Sequence, residues 1–274
     1  MLEAIIVIAI ISILLIIYSC IKIDITEYEI KDKKIDKDLK IMHLSDLHDR
    51  NITKRLEKII TKENPDLIIL SGDMVNEYKG HQENFMSLVN ILEKYKTYYT
   101  YGNHEENMKK DLRKEYDKRI DKTKINVLNN EKIKISDNIE LYGLDIDISF
   151  FEGMRKKKLD KEYIEEKLGN MDSEKYNILI AHNPLMAYAY KETNANLVLT
   201  GHVHGGIIRL PFLGGLLSPE YKFFPAYYDK IHKIKNMTMV VSRGIGFSAR
   251  VPLRMFNPAE IVIIKLRKNK IWYN

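Results

Sequence analysis

An α/β domain behind one membrane-spanning helix is the fold class this sequence predicts, on three observations. Short apolar runs recur, each with a polar turn after it. Segments of helical period lie between the runs, and the chain opens on a long uncharged stretch. Apolar runs bounded by turns are strands buried on both faces of a largely parallel sheet.

The uncharged stretch covers residues 4–21, bounded by Glu3 and Lys22. As a helix it spans roughly 27 Å, close to the ~30 Å of a bilayer core. A helix buried in a globular core would have to be apolar all round. A cleaved signal peptide should begin with Lys or Arg, which Met1-Leu2-Glu3 lacks, and residues 17–20 fit a lipoprotein processing site poorly because of Tyr18. The expectation is an uncleaved single-pass anchor at 1–21, a charged connector at 22–38 and one domain at 39–274. Lys22, Lys31, Lys33, Lys34 and Lys37 follow the span and none precedes it, which places the domain in the cytoplasm.

Within the domain, strands are expected at 39–44, 67–70, 98–101, 178–181 and 197–199. Helical patterns fall at 52–63, 82–94 and 184–191; in the first, Leu56, Ile59 and Ile60 make an apolar face and Asn64-Pro65 stops the helix. A hydrophobic content of 45% excludes a disordered chain, and the single cysteine, Cys20, excludes a disulfide scaffold or a cysteine zinc finger. Residues 1–21 hold one charge, Glu3, so the remainder carries a net charge of +7. Across 105–124 the signs alternate, which reads as a solvated helix, and the basic run 155–158 lacks the aromatic interleaving of a nucleic-acid surface. Nucleic acid is therefore not an expected partner.

Five of the eight histidines stand directly after expected strands, among Asp, Asn and Gly. Asp46-Leu47-His48 follows the first strand and Gly72-Asp73 the second. Gly102-Asn103-His104-Glu105, His182-Asn183 and Gly201-His202-Val203-His204-Gly205 follow the next three. Strand carboxyl ends are where open α/β sheets bind ligands. Residues two apart in an extended segment aim to one side, and mixed carboxylate and imidazole donors suit Mn, Fe or Zn better than Ca or Mg. Glycines at 72, 102, 201 and 205 let the backbone turn beside such ions. His43, His81 and His232 lie outside the clusters and read as structural.

This ordered set resembles the signature of the calcineurin-like metallophosphoesterase superfamily: Asp-x-His, Gly-Asp, Gly-Asn-His, His and Gly-His-x-His. The segments TGHVHGGIIRLPFLGGLLSP (200–219) and SRGIGFSARVPLRMFNPAEI (242–261) are similar to its membrane-anchored bacterial branch, which includes proteins like UDP-2,3-diacylglucosamine diphosphatases. The resemblance implies a four-layer α/β/β/α sandwich and two divalent ions, Mn first, with Zn or Fe as alternatives. One ion would be held by Asp46, His48 and His204, the other by Asn103, His182 and His202, with Asp73 bridging. It further implies hydrolysis of a phosphodiester, pyrophosphate or phosphomonoester by a hydroxide shared between the ions, with His104 assisting the leaving group. Asp49-Arg50 departs from the apolar residue or glycine that relatives often carry, which puts the substrate rim in doubt. A membrane-tethered scaffold keeping the fold without turnover is the alternative; such scaffolds tend to lose His or Asn ligands, and this chain keeps all of them.

Residues 210–228 are apolar and aromatic, including Phe212, Leu213, Leu216, Leu217, Tyr221, Phe223, Phe224, Tyr227 and Tyr228. They read either as a loop packed on the core or as a rim for an acyl chain or the bilayer. With the anchor, the second reading points to a lipid-linked or cell-envelope substrate. Arg209, Arg243 and Arg250 are candidate phosphate contacts, each equally able to form an ion pair. Nothing in the sequence specifies the oligomeric state.

Overall fold

The computed structural model describes residues 1–78, 80–151, 157–206, 208–210, 214–217, 226–247, 254 and 256–269. In chain order it begins α1 (Leu2–Ile21), β1 (Ile23–Asp32), β2 (Leu39–Leu44), α2 (Thr53–Glu63), β3 (Leu67–Leu70), α3 (Glu83–Leu92) and β4 (Thr97–Tyr99). There follow α4 (Asn103–Glu106), α5 (Lys110–Ile120), β5 (Asn126–Val127), β6 (Glu131–Lys134), β7 (Ile139–Leu144), α6 (Lys161–Leu168) and β8 (Tyr176–Ala181). The chain then runs through α7 (Ala187–Tyr190), β9 (Leu197–Thr200), β10 (Ile208–Leu210), β11 (Gly214–Leu217), β12 (Lys230–Ile234), β13 (Met237–Val241) and β14 (Ala259–Lys268).

Two mixed six-stranded sheets result, ordered β1-β14-β2-β3-β4-β5 and β12-β13-β9-β8-β7-β6, with β10-β11 a separate hairpin. Because side chains alternate across a strand, each central strand feeds two cores. Ile41, Ile69, Ile178, Ile180, Leu197 and Leu199 meet between the sheets. Met42, Leu44 and Leu70 face outward onto Leu56 and Ile60 of α2 and Phe85 and Leu88 of α3. On the far side, Leu179, Val198 and Met239 pack on Ile164 of α6 and Tyr190 of α7. The layers run helices, sheet, sheet, helices.

The strands at 39–44 and 67–70 lie where the pattern puts them, and Asn64 ends α2 in the left-handed region at φ 43°. The expected strand at 98–101 instead ends at Tyr99, and 184–191 forms a 3-10 turn (Pro184–Met186) before the single turn α7. The charged helix is broken between α4 and α5, and it is not wholly solvated: Glu105, Tyr116 and Ile120 are buried. The largest correction concerns 22–38. Instead of a connector, this segment holds β1, parallel to β14 over ten residue pairs from Ile23↔Ala259 to Asp32↔Lys268. Glu27, Glu29 and Lys31 stand on the open face of an edge strand, as in Lys265–Glu27 at 2.6 Å, while Tyr28 and Ile30 pack on the inter-sheet core.

Helix α1 is long and apolar enough to cross a membrane. Its outer residues Ile5, Ile10, Ile13, Leu14 and Ile17 are about half exposed or more.

Candidate metal centre

Every cluster singled out in the sequence lies at one edge of the paired sheets, just past a strand end. Asp46 and His48 follow β2, Asp73 follows β3, and Asn103 and His104 follow β4. From the second sheet, His182 follows β8, and His202 and His204 follow β9. Among the described residues the side chains fall into three overlapping groups whose ligand atoms lie within 4.8 Å of one another: Asp46, His48 and His204; His48, Asp73 and His104; and Asp73, His182 and His202. Nε2 of His48 is 3.1 Å from Nε2 of His204, which lies 3.6 Å from Oδ1 of Asp46. Oδ2 of Asp73 is 3.0 Å from Nε2 of His182 and 4.0 Å from Nε2 of His48, so this one oxygen stands between the groups.

The backbone is bent sharply to aim these groups. Asp46, His48, Asp73, His202 and His204 have φ between 47° and 67°, a region residues with a Cβ rarely enter. Hydrogen bonds between loops hold them there: the Asp46 amide donates to Gly72 O (3.0 Å), the His48 amide to Asp73 O (3.1 Å) and the His202 amide to Asp46 Oδ1 (2.9 Å). Gly72, at φ 92°, also makes room, since a Cβ there would lie 2.6 Å from Nδ1 of His182.

Several groups suit a cation. Nδ1 of His48 meets Asn76 Oδ1 at 3.0 Å and Nδ1 of His182 meets Ser71 O at 2.6 Å; donating from Nδ1 leaves each Nε2 lone pair toward the cluster. Burial pushes His48 down to about 3 and His204 well below the usual imidazole range, so both rings are neutral. Burial opposes protonation of His182 as well, but Asp73 and Asp46 outweigh it and push it up to about 9, so a cation at its Nε2 would take the place of a proton. Oδ1 of Asn103 is buried without a hydrogen-bond partner. An oxygen so placed, beside two buried carboxylates and neutral imidazoles, fits a divalent ion.

His104 is on the rim of this cluster. Its amide donates to Asp73 Oδ1 (2.9 Å), Nε2 lies 4.0 Å from Asp73 Oδ2, and Nδ1 is hydrogen-bonded to Glu77. Burial works against its charge, yet Asp73 and Glu77 push it up to about 9.

Sequence reasoning missed the supports. Glu105, fully buried, accepts from the amides of Asp73 (2.9 Å), Met74 (2.7 Å), Val75 (3.2 Å) and Gly102 (2.8 Å). The charge run after it disguised it as solvated; its place directly after Asn103-His104 was the available signal. Arg254, buried, donates to the carbonyls of Arg243 (3.0 Å), Gly244 (2.9 Å) and Gly246 (2.7 Å), and the Gly246 amide donates to Asp46 O at 2.7 Å. His43, expected to be structural, meets Ser71 Oγ at 2.7 Å behind His182. Asp49 and Arg50 also face inward: Asp49 accepts from the Phe85 amide at 2.9 Å, and Arg50 donates to Ile245 O at 2.9 Å.

Of the arginines considered for phosphate, Arg243 is paired with Asp24 (3.1 Å) and Glu260 (3.2 Å), and Arg209 with Asp229 (2.7 Å). Arg250 lies outside the described residues, as do Phe212, Leu213, Tyr221, Phe223 and Phe224 of the apolar segment and Arg155 and Lys156 of the basic run.

Residues 39–206, more than half of the chain, match the family model of the calcineurin-like phosphoesterases. This chain belongs to that family. It is similar to bacterial metallophosphoesterases along most of its length. A metallophosphoesterase of Campylobacter jejuni is 31% identical over 258 residues, which is 90% of this chain and 64% of that protein. One from Helicobacter pylori is 31% identical, matching 85% of this chain and 61% of its own length. The chain thus spans less than two thirds of either relative. The Bacillus subtilis metallophosphoesterase YkuE is 27% identical, covering 82% of this chain and 76% of that one. The crystal structure of TT1561 of Thermus thermophilus shares the fold, with a TM-score of 0.52 at 13% identity, covering 83% of this chain and 98% of that one.

Proposed function

We propose that this calcineurin-like protein is a binuclear metal-dependent phosphoesterase. One divalent ion would be held by Asp46, His48 and His204, and the other by Asn103, His182 and His202, with Asp73 available to both. The observation that carries the reading is the single Asp73 oxygen 3.0 Å from His182 and 4.0 Å from His48, shared by two clusters of donors. Two bound ions would supply Lewis acidity toward the phosphate and a nucleophilic water at neutral pH. The chain does the rest. Asp73 orients both halves of the site, and Glu77 fixes Nδ1 of His104, so that Nε2 gives its proton to the leaving oxygen. Mn is the expected metal, since donors of mixed nitrogen and oxygen suit it.

The N-terminal helix is an uncleaved anchor in this reading, with the domain on the cytoplasmic side. What supports retention is that the folded domain engages the helix end: the Arg254 amide donates to Cys20 Sγ at 3.4 Å, and Arg50 and Arg55 bond the last carbonyls. The substrate is then a phosphodiester, pyrophosphate or phosphomonoester of a lipid-linked or cell-envelope compound, of the kind UDP-2,3-diacylglucosamine represents.

The test is metal content and Mn-stimulated hydrolysis of bis(p-nitrophenyl) phosphate by the wild type, Asp73→Asn and His104→Ala. Asp73→Asn should lose metal and rate together, whereas His104→Ala should keep both ions and lose turnover by about 10²–10⁴-fold on a diester with an alkoxide leaving group, and by less on the p-nitrophenyl ester, whose leaving group needs little protonation. A wild type that binds no metal and shows no hydrolysis would establish the scaffold reading instead.

A further inference from the structure

The end of the N-terminal helix is built into the catalytic edge of the domain, with no tether between them. Helix α1 ends at Ile21 and β1 starts at Ile23, so Lys22 is the whole joint. Topology decides which edge the joint reaches. Strand β1 runs parallel to β14, beginning at Ile23↔Ala259, and β14 runs antiparallel to β2, with Val262 opposite His43. The first residue of β1 is therefore at the same edge as the carboxyl end of β2, one strand away, from which Asp46 and His48 project.

Side chains then lock the joint. The last carbonyls of a helix have no partner within it and favour cationic caps. Here Cys20 O accepts from Arg50 and Ile21 O from Arg55. Arg50 also donates to Ile245 O (2.9 Å) and stacks over Phe247 at 4.2 Å. The amide of Ile245 in turn bonds Ser45 O at 3.0 Å. One guanidinium thus links the helix end to both segments that frame Asp46. Lys22 sits 5.3 Å over the ring of Tyr18 and 2.9 Å from Asp24, a cation and an aromatic at the depth where a span meets headgroups.

Resting on the anchor and hydrolase readings above, we infer that Arg50 and Arg55 hold the domain with its metal edge against the bilayer surface. The site is served from that surface, and the partner it fits is the phosphoester headgroup of a lipid. The occupant of the exposed apolar helix is the bilayer core itself, which its 20 residues cross at about 30 Å.

The test uses the full chain with Cys20→Ser in phosphatidylcholine vesicles carrying an acceptor dye on the headgroup. A donor is placed at Tyr78→Cys, on the loop after β3, or at Asp137→Cys, before β7 at the opposite edge. Six-residue strands separate the edges by about 20 Å. Energy transfer should accordingly be strong from position 78 and weak from position 137. Substituting Arg50→Ala and Arg55→Ala and inserting eight Gly/Ser residues after Ile21 should remove the difference while the protein still floats with vesicles. On a vesicle-embedded phosphodiester lipid the same variant should lose about tenfold in kcat/KM, as an oriented site reverts to a loosely tethered one. Its rate on bis(p-nitrophenyl) phosphate carries any effect of Arg50→Ala on the segments that frame Asp46, so the tenfold loss is counted relative to that rate. Equal transfer from both positions in the wild type overturns the proposal with the anchor reading intact. Failure of the wild type to float overturns the anchor reading and the proposal with it. Equal vesicle rates for wild type and variant overturn the headgroup assignment alone.

Discussion

At the scale of single residues, the site is a set of unfavourable conformations held by neighbours. Each left-handed Asp or His among the donors costs on the order of 1–3 kcal/mol, which the interloop hydrogen bonds must offset. Glu105 is the most exposed to test, since its carboxylate satisfies four buried amides at once. Glu105→Ala leaves those donors unpaired at roughly 1–3 kcal/mol apiece; urea unfolding should show a loss of several kcal/mol, with Glu105→Gln retaining part of it. A second residue predicts a pH effect. Burial, with Glu106 beside it, pushes Asp145 up to about 8, against 3.8 for a free carboxyl. The folded chain keeps a proton that the unfolded chain releases, so this contribution is full below about pH 4 and is lost as pH rises through about 8. Asp145→Asn should flatten the fall in urea midpoint between about pH 4 and 8; an unchanged slope would refute the assignment. The metal donors were legible because their chemistry resides in residue type and strand-end position. Glu105, Glu77 and Asn76 were not, because their roles exist only once separate loops meet.

At the scale of elements, legibility followed burial. β2 and β3 are buried on both faces and read directly from unbroken apolar runs. β1 alternates charged and apolar residues on an edge, which resembles a polar connector until β14 arrives from over 200 residues away. No local signal announces such a pairing. The two readings of 22–38 differ experimentally. A chain beginning at residue 22 retains β1, and it should stay monodisperse by size-exclusion chromatography. A chain beginning at residue 39 strips β14 of its partner along ten residues, and an open apolar edge of that length invites association. It should aggregate or lose most of its soluble yield. Equal behaviour of the two would mean that β1 contributes little and that 22–38 serves as a connector after all.

At the scale of the whole molecule, neither of the two groups assigned to a metal ion belongs to one sheet. Asp46 and His48 come from the first sheet and reach His204 of the second; Asp73 of the first reaches His182 and His202 of the second. A divalent ion in either group would fasten the sheets together at the edge where their loops are most strained, while the apolar layer between the sheets holds the rest. Such an ion binds the folded chain and not the unfolded one, so it stabilises by about 2.7 kcal/mol at a hundred times its Kd. For a domain of this size each kcal/mol moves Tm by about 2–4 °C, so each Mn ion bound at that level should raise Tm by roughly 5–11 °C over chelated protein. Asp73→Asn should abolish most of that rise, because Oδ2 of Asp73 lies 3.0 Å from His182 of one group and 4.0 Å from His48 of the other. A substitution in the inter-sheet layer such as Leu199→Ala should lower Tm with and without Mn by similar amounts, since it weakens the sheets away from the ions. If Leu199→Ala erased the Mn response while Asp73→Asn preserved it, the metal would be acting elsewhere than across the two sheets.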